Sequence, residues 1–469
     1  MTKQKRLPSA YCLLLLAAAV IYGVLALSDN IWADEAYTFA MLPHSFADIL
    51  SITAADVHPP LYYFVTKLLT AAFGYSQYSL RLFSGSCYFL VIAVGGWQLM
   101  KLFNERTGLL FMVLYLLYPF SLEHAPQARM YSFASLGIFL CALFAYRVWL
   151  LEKAGDWVGF VASGLCAAYT HYFALVAAGV IYGLLLLCCL FRKRKLLKPW
   201  LLAALATILL YLPWLKCLLE QLVYKANNEY WIGAITIESL FKDLISLLHA
   251  NGFSAFPLFF GLLGLALTAR LFLKKAAAPL LALAVPVMTL LLGVAVSLLM
   301  RPIFIIRYLV PCAPLIIFFV AYGVAGIAQE FLRGGVVFLL LAAFCSNLIF
   351  AFQDILPNSA KFGADAVSQA ENAQAFVIQV SNHLHVSQVA AYYAPETPIY
   401  TPETLGAASP YENVRLLEEY PEEGLQKIAV LTDSDTAPDD SLFPDYHGTK
   451  LGSYYAAYDT FDLWLMEAP

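Results

Sequence analysis

Long apolar stretches recur along most of this chain, and each is close to the length needed to cross a lipid bilayer. An α-helix needs about 20 apolar residues for that crossing. Hydrophobic residues make up 61% of the sequence and charged residues 13%, and the mean hydropathy is +0.71. Soluble domains usually carry about 25% charged residues. The composition therefore excludes a soluble globular protein and predicts a polytopic membrane protein.

Taken in order, the apolar stretches predict about 11 membrane-spanning helices. The predicted spans are residues 9–27, 80–102, 109–122, 132–151, 157–170, 173–191, 199–216, 254–273, 279–299, 304–327 and 335–352. A polar outer loop is predicted at residues 218–252, including Asn227 and Trp231. Because the hydropathy falls after residue 354, we predict a helical membrane domain over residues 1–354 and a soluble domain over residues 355–469.

Basic residues set the predicted orientation of the spans. Lys3, Lys5 and Arg6 precede the first span, and the basic run RKRK at residues 192–195 follows the sixth. Positive loops stay on the cytoplasmic side. The N-terminus is therefore predicted to be cytoplasmic, and an odd number of spans places the soluble domain outside. A cleaved signal peptide is the alternative for the first stretch, but that stretch is long for one and no small-residue cleavage site is obvious.

Residues 44–74 form a weaker apolar stretch that we assign to the first outer loop, residues 28–79. The apolar part after Pro59 and Pro60 is only about 14 residues long, which is short for a span. We predict an interfacial helix that begins at these prolines. A membrane crossing is the alternative, and it would reverse the orientation that the later basic loops indicate.

The predicted soluble domain is acidic, whereas the membrane domain is basic. Residues 355–469 contain 17 acidic and four basic residues, which leaves 15 acidic and 24 basic residues before them. Two short apolar runs, 376–380 and 427–431, are predicted as buried strands, with a helix at 386–393 between them. We predict an α/β domain, and its acidity argues against nucleic acid or another anionic surface as a partner.

Two adjacent carboxylates directly follow the first span. Asp34 and Glu35 lie between Trp32 and Tyr37. Aromatic rings of this kind favour the membrane interface, so the pair is predicted to meet water at the mouth of the membrane domain. Such a pair could act as a general base, as metal ligands or as a cation filter, or it could only keep a loop hydrated. The two residues alone do not decide among these roles.

Three other polar clusters fall on the same predicted face as the acidic pair. They are residues 58–60 (HPP), 123–129 and 301–307. Arg129 and Arg307 are the informative members, because positive charge is disfavoured on the outer face. Each could instead be a snorkelling arginine or part of an ion pair, for example with Glu123. The shared face predicts one extracytoplasmic site, into which all four clusters converge.

An outer cavity with an acid and separated arginines suits sugar transfer from a lipid-linked phosphate. A carboxylate can take the proton of the acceptor hydroxyl as the oxygen attacks the anomeric carbon. The leaving phosphate is already anionic, so it needs cationic hydrogen-bond donors and no general acid. A glycosidase would instead need two carboxyl groups about 5 to 9.5 Å apart on opposite sides of a sugar. Neighbouring Asp34 and Glu35 do not suit that arrangement.

Six short motifs occur in a fixed order along the membrane domain. They are WADEAY (32–37), HPPLY (58–62), RLFS (81–84), QARMYS (127–132), THYFA (170–174) and RYLVP (307–311). Each motif alone is weak, but the ordered set resembles bacterial family 39 glycosyltransferases, a group similar to protein O-mannosyltransferases and lipid A aminoarabinose transferases. The resemblance implies the type C glycosyltransferase fold, a polyprenyl-phosphate sugar as donor and transfer with inversion.

The resemblance also implies roles for individual residues. Asp34 matches the position of the family's catalytic base, and Glu35 matches its partner acid. His58, Arg129 and Arg307 match positions that line the cavity. Four further motif members are predicted to bind donor or substrate with them: Tyr62, Tyr131, His171 and Tyr308.

The sequence is compatible with more than one sugar, acceptor, cofactor and class of membrane protein. The sugar is mannose-like or another hexose or pentose, and the acceptor is a lipid, a glycan or a protein. No dedicated metal signature is present, and a divalent cation is left open as a cofactor. A transporter or flippase of a lipid-linked or small polar substrate also explains the spans, but transporters usually place polar groups near the bilayer midplane. A non-catalytic scaffold or sensor would leave the clustered charges unexplained.

Overall fold

A computed structural model divides the chain into two compact units. The first unit comprises Met1–Leu27, Val57–Val65 and Leu69–Asp354, and the second comprises Ser28–Asp56, Thr66–Leu68 and Ile355–Pro469. The structure describes residues 8–27, 31–226, 232–247, 255–300, 302–353, 362–370, 372–403, 409–421, 424–439, 441–456 and 459–469.

Helices dominate the chain up to residue 353. In order, the α-helices are α1 (Ser9–Leu25), α2 (Ala33–Met41), α3 (Phe46–Ala55), α4 (Leu61–Phe73), α5 (Gln77–Leu102), α6 (Glu105–Leu117), α7 (Pro119–His124), α8 (Tyr131–Leu151), α9 (Ala154–Thr170), α10 (Tyr172–Arg192), α11 (Leu197–Ala226), α12 (Ile237–Leu247), α13 (Phe256–Leu273), α14 (Ala277–Leu299), α15 (Ala313–Ala325) and α16 (Glu330–Gln353). Short 3-10 helices cover Arg194–Leu196 and Ile306–Cys312.

The polytopic helical fold predicted from the sequence is confirmed. Eight of the helical stretches in the described residues are long and apolar enough to cross a membrane, and each coincides with a predicted span. The other three predicted spans correspond to α1, α6 and α9, which have 17, 13 and 17 residues. The predicted interfacial stretch consists of two helices, α3 and α4, and α4 begins after Pro60 as predicted.

Two predicted elements differ from the structure. The predicted span 109–122 is interrupted at Tyr118, which is extended with φ −64° and ψ 132°, because a residue before a proline disfavours the helical conformation. The predicted outer loop 218–252 is partly helical, since α11 continues to Ala226 and α12 follows. Asn227, Trp231 and Arg301, and the predicted domain boundary after residue 354, lie outside the described residues.

Close helix contacts hold the first unit together. Helix α8 packs against α5, α9 and α10, and α10 also packs against α14. Glycines bring α5 and α6 together, because a Cβ on Gly108 would lie 2.6 Å from the carbonyl oxygen of Gly96. Small residues allow such close approach between membrane helices. At the far end of α8, Arg147 Nε lies 2.7 Å from Asp156 Oδ1, which joins α8 to α9.

The second unit contains the predicted C-terminal α/β domain. Its further elements are α17 (Ala364–Gln369), β1 (Ala375–Gln379), α18 (His383–Tyr393), β2 (Ile399–Thr401), β3 (Val414–Leu416), the 3-10 helix Leu417–Glu419, β4 (Lys427–Asp433), β5 (His447–Ala456) and β6 (Asp459–Glu467). The strand order is β3-β2-β1-β4-β6-β5. Strands β3, β2, β1 and β4 are parallel, β6 is antiparallel to β4, and β5 is antiparallel to β6. The two predicted strands correspond to β1 and β4.

Both faces of the central strand β1 are covered. Phe376 and Ile378 belong to the core that includes Val386 of α18, whereas Ala375 and Val377 belong to a second core on the opposite face. Successive side chains of a strand point to opposite faces. This double burial explains why β1 is a continuous apolar run without alternating polar residues.

Candidate functional site

The acidic pair lies at the start of the short helix α2, in the second unit. Trp32 precedes the helix in an extended conformation, and its backbone N–H donates to Glu35 Oε2 at 3.4 Å. A carboxylate that reaches back to this N–H stabilises a helix start. Glu35 is only 2% exposed, whereas Asp34 is half-buried. Glu35 therefore has a structural contact at the helix start, and Asp34 is the less buried of the two acids.

Helix α2 packs on the α/β domain of the same unit. Ala33 belongs to the apolar core that α18 forms with the sheet. The ring centroids of Phe39 and Tyr392 are 4.9 Å apart, and the Ile31 N–H donates to the Tyr393 hydroxyl at 3.3 Å. The C-terminal domain thus holds the helix that carries the acidic pair. No motif or periodicity in the sequence indicates this contact.

Cationic and aromatic side chains form a cluster in the first unit. Arg129 and His171 are 4% and 5% exposed, and Tyr131 is 2% exposed. The His171 ring lies 5.6 Å from the Tyr131 ring and 5.0 Å from the Tyr308 ring, measured between centroids. These residues come from the start of α8, the turn before α10 and the 3-10 helix Ile306–Cys312. Three of the predicted motifs therefore meet at one end of the helix bundle.

The pKa of His171 reflects its burial and the charged side chains around it. His171 lies in the turn between α9 and α10. Burial lowers the pKa of His171 to about 3, and His58, Arg129 and Arg307 lower it further in that order. The imidazole is consequently neutral at physiological pH. A neutral imidazole can donate one hydrogen bond and accept another, so it adds a polar group to the cluster without adding a third positive charge.

Tyr62 joins the same cluster from α4. Burial raises the pKa of Tyr62, and the Ser84 hydroxyl and the Arg129 guanidinium oppose that increase. The Tyr62 side chain is fully buried, and its ring centroid lies 5.8 Å from that of Tyr63. Tyr62 of the HPPLY motif therefore lies within electrostatic reach of Arg129.

Neighbouring side chains hold the segments of the cluster in place. Ser135 Oγ donates to the Val310 carbonyl oxygen at 3.2 Å, which joins α8 to the 3-10 helix Ile306–Cys312. Next to His171, the Tyr172 hydroxyl donates to Gln221 Oε1 and accepts from Trp214 Nε1–H at 3.0 Å. Sequence reasoning missed Trp214 and Gln221, because single polar groups in an apolar helix form no pattern.

The nine predicted site residues divide between the two units. Asp34 and Glu35 belong to the second unit. The other seven belong to the first unit, where rings and charges link them: His58, Tyr62, Arg129, Tyr131, His171, Arg307 and Tyr308. Convergence of all four polar clusters in one cavity stays a prediction. Within the described ranges, no three His, Cys, Asp or Glu side chains form a group that could hold a metal ion.

Comparison with known proteins gives matches by fold and none by sequence. No protein-family model matches the chain, and no curated protein matches it. The structure of ArnT from Cupriavidus metallidurans in the apo state aligns with a TM-score of 0.63 and 14% identity and covers 97% of each chain. ArnT from the same organism bound to undecaprenyl phosphate aligns with a TM-score of 0.61 and 14% identity, again over 97% of each chain. ArnT is a lipid A aminoarabinose transferase with the type C glycosyltransferase fold, so the predicted fold is confirmed.

Proposed function

We propose that the chain is a membrane glycosyltransferase that moves a single sugar from a polyprenyl-phosphate donor to an acceptor hydroxyl on the extracytoplasmic side, with inversion. The observation that carries the proposal is the cluster of buried Arg129 and His171 with half-buried Arg307 in a chain with the fold of ArnT. The ArnT structure bound to undecaprenyl phosphate supports a polyprenyl phosphate as the carrier of the donor sugar.

We propose that Arg129 and Arg307 bind the phosphate of the donor. A guanidinium is always charged and can give two parallel hydrogen bonds to phosphate oxygens. Because Arg129 is almost fully buried, its attraction for a phosphate is screened less than it would be in water. His171 is flanked by the rings of Tyr131 and Tyr308 and offers a neutral hydrogen-bonding group to the phosphate or the sugar.

We assign the general base to Asp34, with Glu35 supporting the helix that carries it. Asp34 takes the proton of the acceptor hydroxyl, and the acceptor oxygen forms a bond to the anomeric carbon. The bond from that carbon to the phosphate oxygen breaks, and its electron pair leaves with polyprenyl phosphate. One displacement of this kind inverts the anomeric configuration. The leaving group needs no proton, because the two guanidinium groups stabilise its charge.

We also propose that this end of the bundle faces away from the cytoplasm, with the N-terminus in the cytoplasm and the C-terminal domain outside. Helix α10 begins beside His171 and ends at Arg192, where the basic run starts. Its 21 residues correspond to a length of roughly 30 Å, close to the thickness of the hydrocarbon layer. The basic run therefore marks the cytoplasmic end, and the cluster around His171 lies at the other end.

The experiment is incubation of membranes containing the protein with a panel of polyprenyl-phosphate sugars labelled in the sugar. We expect one donor to be consumed, with the label bound covalently to a lipid, glycan or protein and sugar-free polyprenyl phosphate released. Membranes without the protein serve as the control. If labelled donor crosses the bilayer with its sugar–phosphate bond intact, the chain is a flippase or transporter and the proposal is wrong.

A further inference from the structure

A cavity lies at the end of the bundle opposite to the His171 cluster. It has a volume of about 800 Å³ and lies between α5, α8, α10, α14 and α15. Its walls are largely apolar and include Phe139, Tyr146, Ile181, Val285 and Phe318. A volume of this size lies within the range of pockets that enclose small ligands, and the walls suit a hydrocarbon chain.

Two cations line the mouth of this cavity. Arg192 at the end of α10 and Lys275 before α14 belong to its lining, and both are exposed. Across the part of the chain that the structure describes, neither has an acidic partner within ion-pair distance. By contrast, Lys193 and Lys195 from the same basic run lie 3.0 Å and 2.6 Å from the carboxylate of Glu152. No carboxylate of the described residues thus neutralises the two cations at the mouth.

Apolar walls and a cationic mouth match the two parts of an anionic lipid. Basic pockets between membrane helices bind the headgroups of negatively charged phospholipids. A buried hydrocarbon chain adds about 0.8 kcal/mol for each CH₂ group that leaves water. A neutral lipid would fill the apolar walls equally well but would gain nothing from Arg192 and Lys275. A zwitterionic lipid would gain less than an anionic one, because its own cation offsets the charge of its phosphate. The charge at the mouth therefore selects an anionic headgroup.

The donor proposed above is also an anionic lipid, but it does not suit this cavity. Tyr172 and Arg192 stand at opposite ends of α10, a separation of about 30 Å along the helix axis. A donor whose phosphate contacts Arg129 and Arg307 beside His171 cannot place that phosphate at Arg192. This step rests on the proposed function, whereas the cavity and its charges do not.

We propose that this cavity is a binding site for an anionic diacyl phospholipid. One acyl chain occupies the space between α5, α8, α10, α14 and α15, and the phosphate contacts Arg192 and Lys275. The lipid fills a gap among five helices, so its binding stabilises the folded protein by mass action.

The test measures lipid binding and does not use sugar transfer, so its failure is distinct from failure of the proposed function. Full-length protein in detergent is titrated with phosphatidylglycerol, phosphatidylcholine or undecaprenyl phosphate, and the melting temperature and the lipids retained in native mass spectrometry are recorded. We expect a saturable increase in melting temperature with phosphatidylglycerol and none of that size with phosphatidylcholine. Equal effects of both phospholipids would overturn the proposal, and so would a response to undecaprenyl phosphate alone.

The chain offers a matched pair of variants. The double variant Arg192→Gln and Lys275→Gln removes the two cations of the mouth. The double variant Arg194→Gln and Lys274→Gln removes the same charge from the same two segments, at residues that do not line the cavity. Since each cation near an anionic headgroup contributes about fivefold in affinity, the first variant should weaken phosphatidylglycerol binding roughly 30-fold and the second much less.

A steric variant tests the apolar walls without changing charge. Ala282 lines the cavity, and Ala282→Phe should fill part of it and reduce the phosphatidylglycerol retained. Equal losses in the two charge variants, or full retention in Ala282→Phe, would show that the lipid binds elsewhere on the protein.

Discussion

The two groups of predicted site residues are held by different kinds of packing. Arg129 and His171 are buried in the first unit, where Tyr131 and Tyr308 flank the imidazole. Asp34 is half-buried on a nine-residue helix that rests on the α/β domain. The cationic group is thus built into the helix bundle, whereas the position of the acid depends on contacts with a separate domain. This difference predicts that changes in the two units affect different steps of the reaction.

The largest expected effect is that of Asp34→Asn. Asparagine keeps the size and hydrogen bonding of the side chain but cannot accept the proton of the acceptor. We expect kcat to fall by about 10² to 10⁴, with donor affinity unchanged, because the loss concerns the transition state. Transfer rates and equilibrium binding of the identified donor measure the two quantities separately.

Asp48→Asn is the matched control for this change. Asp48 is also an acid in the first turn of a short helix of the second unit, where its carboxylate accepts from Ser45 Oγ–H at 2.6 Å. We expect Asp48→Asn to leave kcat near normal. If Asp34→Asn turned over at a rate close to that of the unmodified protein, Asp34 would not be the general base. The acidic pair would then only keep its loop hydrated.

The next effect in size concerns Arg129→Leu and Arg307→Leu. Each change removes a charged hydrogen-bond donor worth about 1.5–3 kcal/mol, so we expect donor binding to weaken by about 10- to 100-fold. Lysine at either position should restore only part of the affinity, because the planar fork is lost. Arg106→Leu, at an exposed arginine of α6, is the control for a loss of charge. Normal donor affinity in both leucine variants would contradict the assignment of the phosphate.

A smaller effect tests the link between the α/β domain and the acidic pair. Tyr393→Phe removes the hydroxyl that accepts from the Ile31 N–H at 3.3 Å, next to the start of α2. A neutral hydrogen bond contributes about 1 kcal/mol, so we expect kcat to fall about fivefold while donor affinity stays constant. Tyr393 acts through the helix and would be a positioning residue.

Tyr446→Phe is the control, because the Tyr446 hydroxyl donates to the Leu425 carbonyl oxygen at 2.6 Å and Tyr446 packs on the opposite face of the sheet. The chemical change is identical, but α2 is not involved. If both variants lowered kcat equally, the loss would reflect general stability of the domain and not the position of Asp34.

Elements with strong local patterns were predictable from the sequence. The long apolar spans follow from length and composition alone, and β1 and β4 follow from short apolar runs that are buried on both faces. The RYLVP and THYFA motifs lie side by side in the structure, with the Tyr308 and His171 ring centroids 5.0 Å apart, whereas the roles predicted for these two residues stay predictions. In each case the residues that form the sequence pattern are the same residues that form the helix, strand or contact in the structure.

Contacts between distant segments were not predictable. The WADEAY motif indicates an acidic pair at an interface, but nothing in nine residues of helix specifies that Phe39 packs on Tyr392. The ordered motifs name Tyr172 but do not reveal its partners Trp214 and Gln221 in α11. These contacts depend on tertiary packing, which periodicity and motif order do not encode.

The smallest effect concerns acid stability and His171. In the unfolded chain a histidine takes up a proton near pH 6.5, whereas the pKa of His171 in the folded protein is lowered to about 3 by burial and by His58, Arg129 and Arg307. Between these values the unfolded state binds the extra proton, so the folded state loses stability as the pH falls below about 6.5. The loss contributed by this group is at most about 1.4 kcal/mol per pH unit.

Glutamine does not titrate, so the melting temperature of His171→Gln should fall less than that of the unmodified protein between pH 7 and pH 5. Above pH 7 both states carry a neutral His171, and the two melting curves should change with pH in parallel. An equal fall in both proteins on acidification would mean that His171 is not buried as a neutral group beside two arginines.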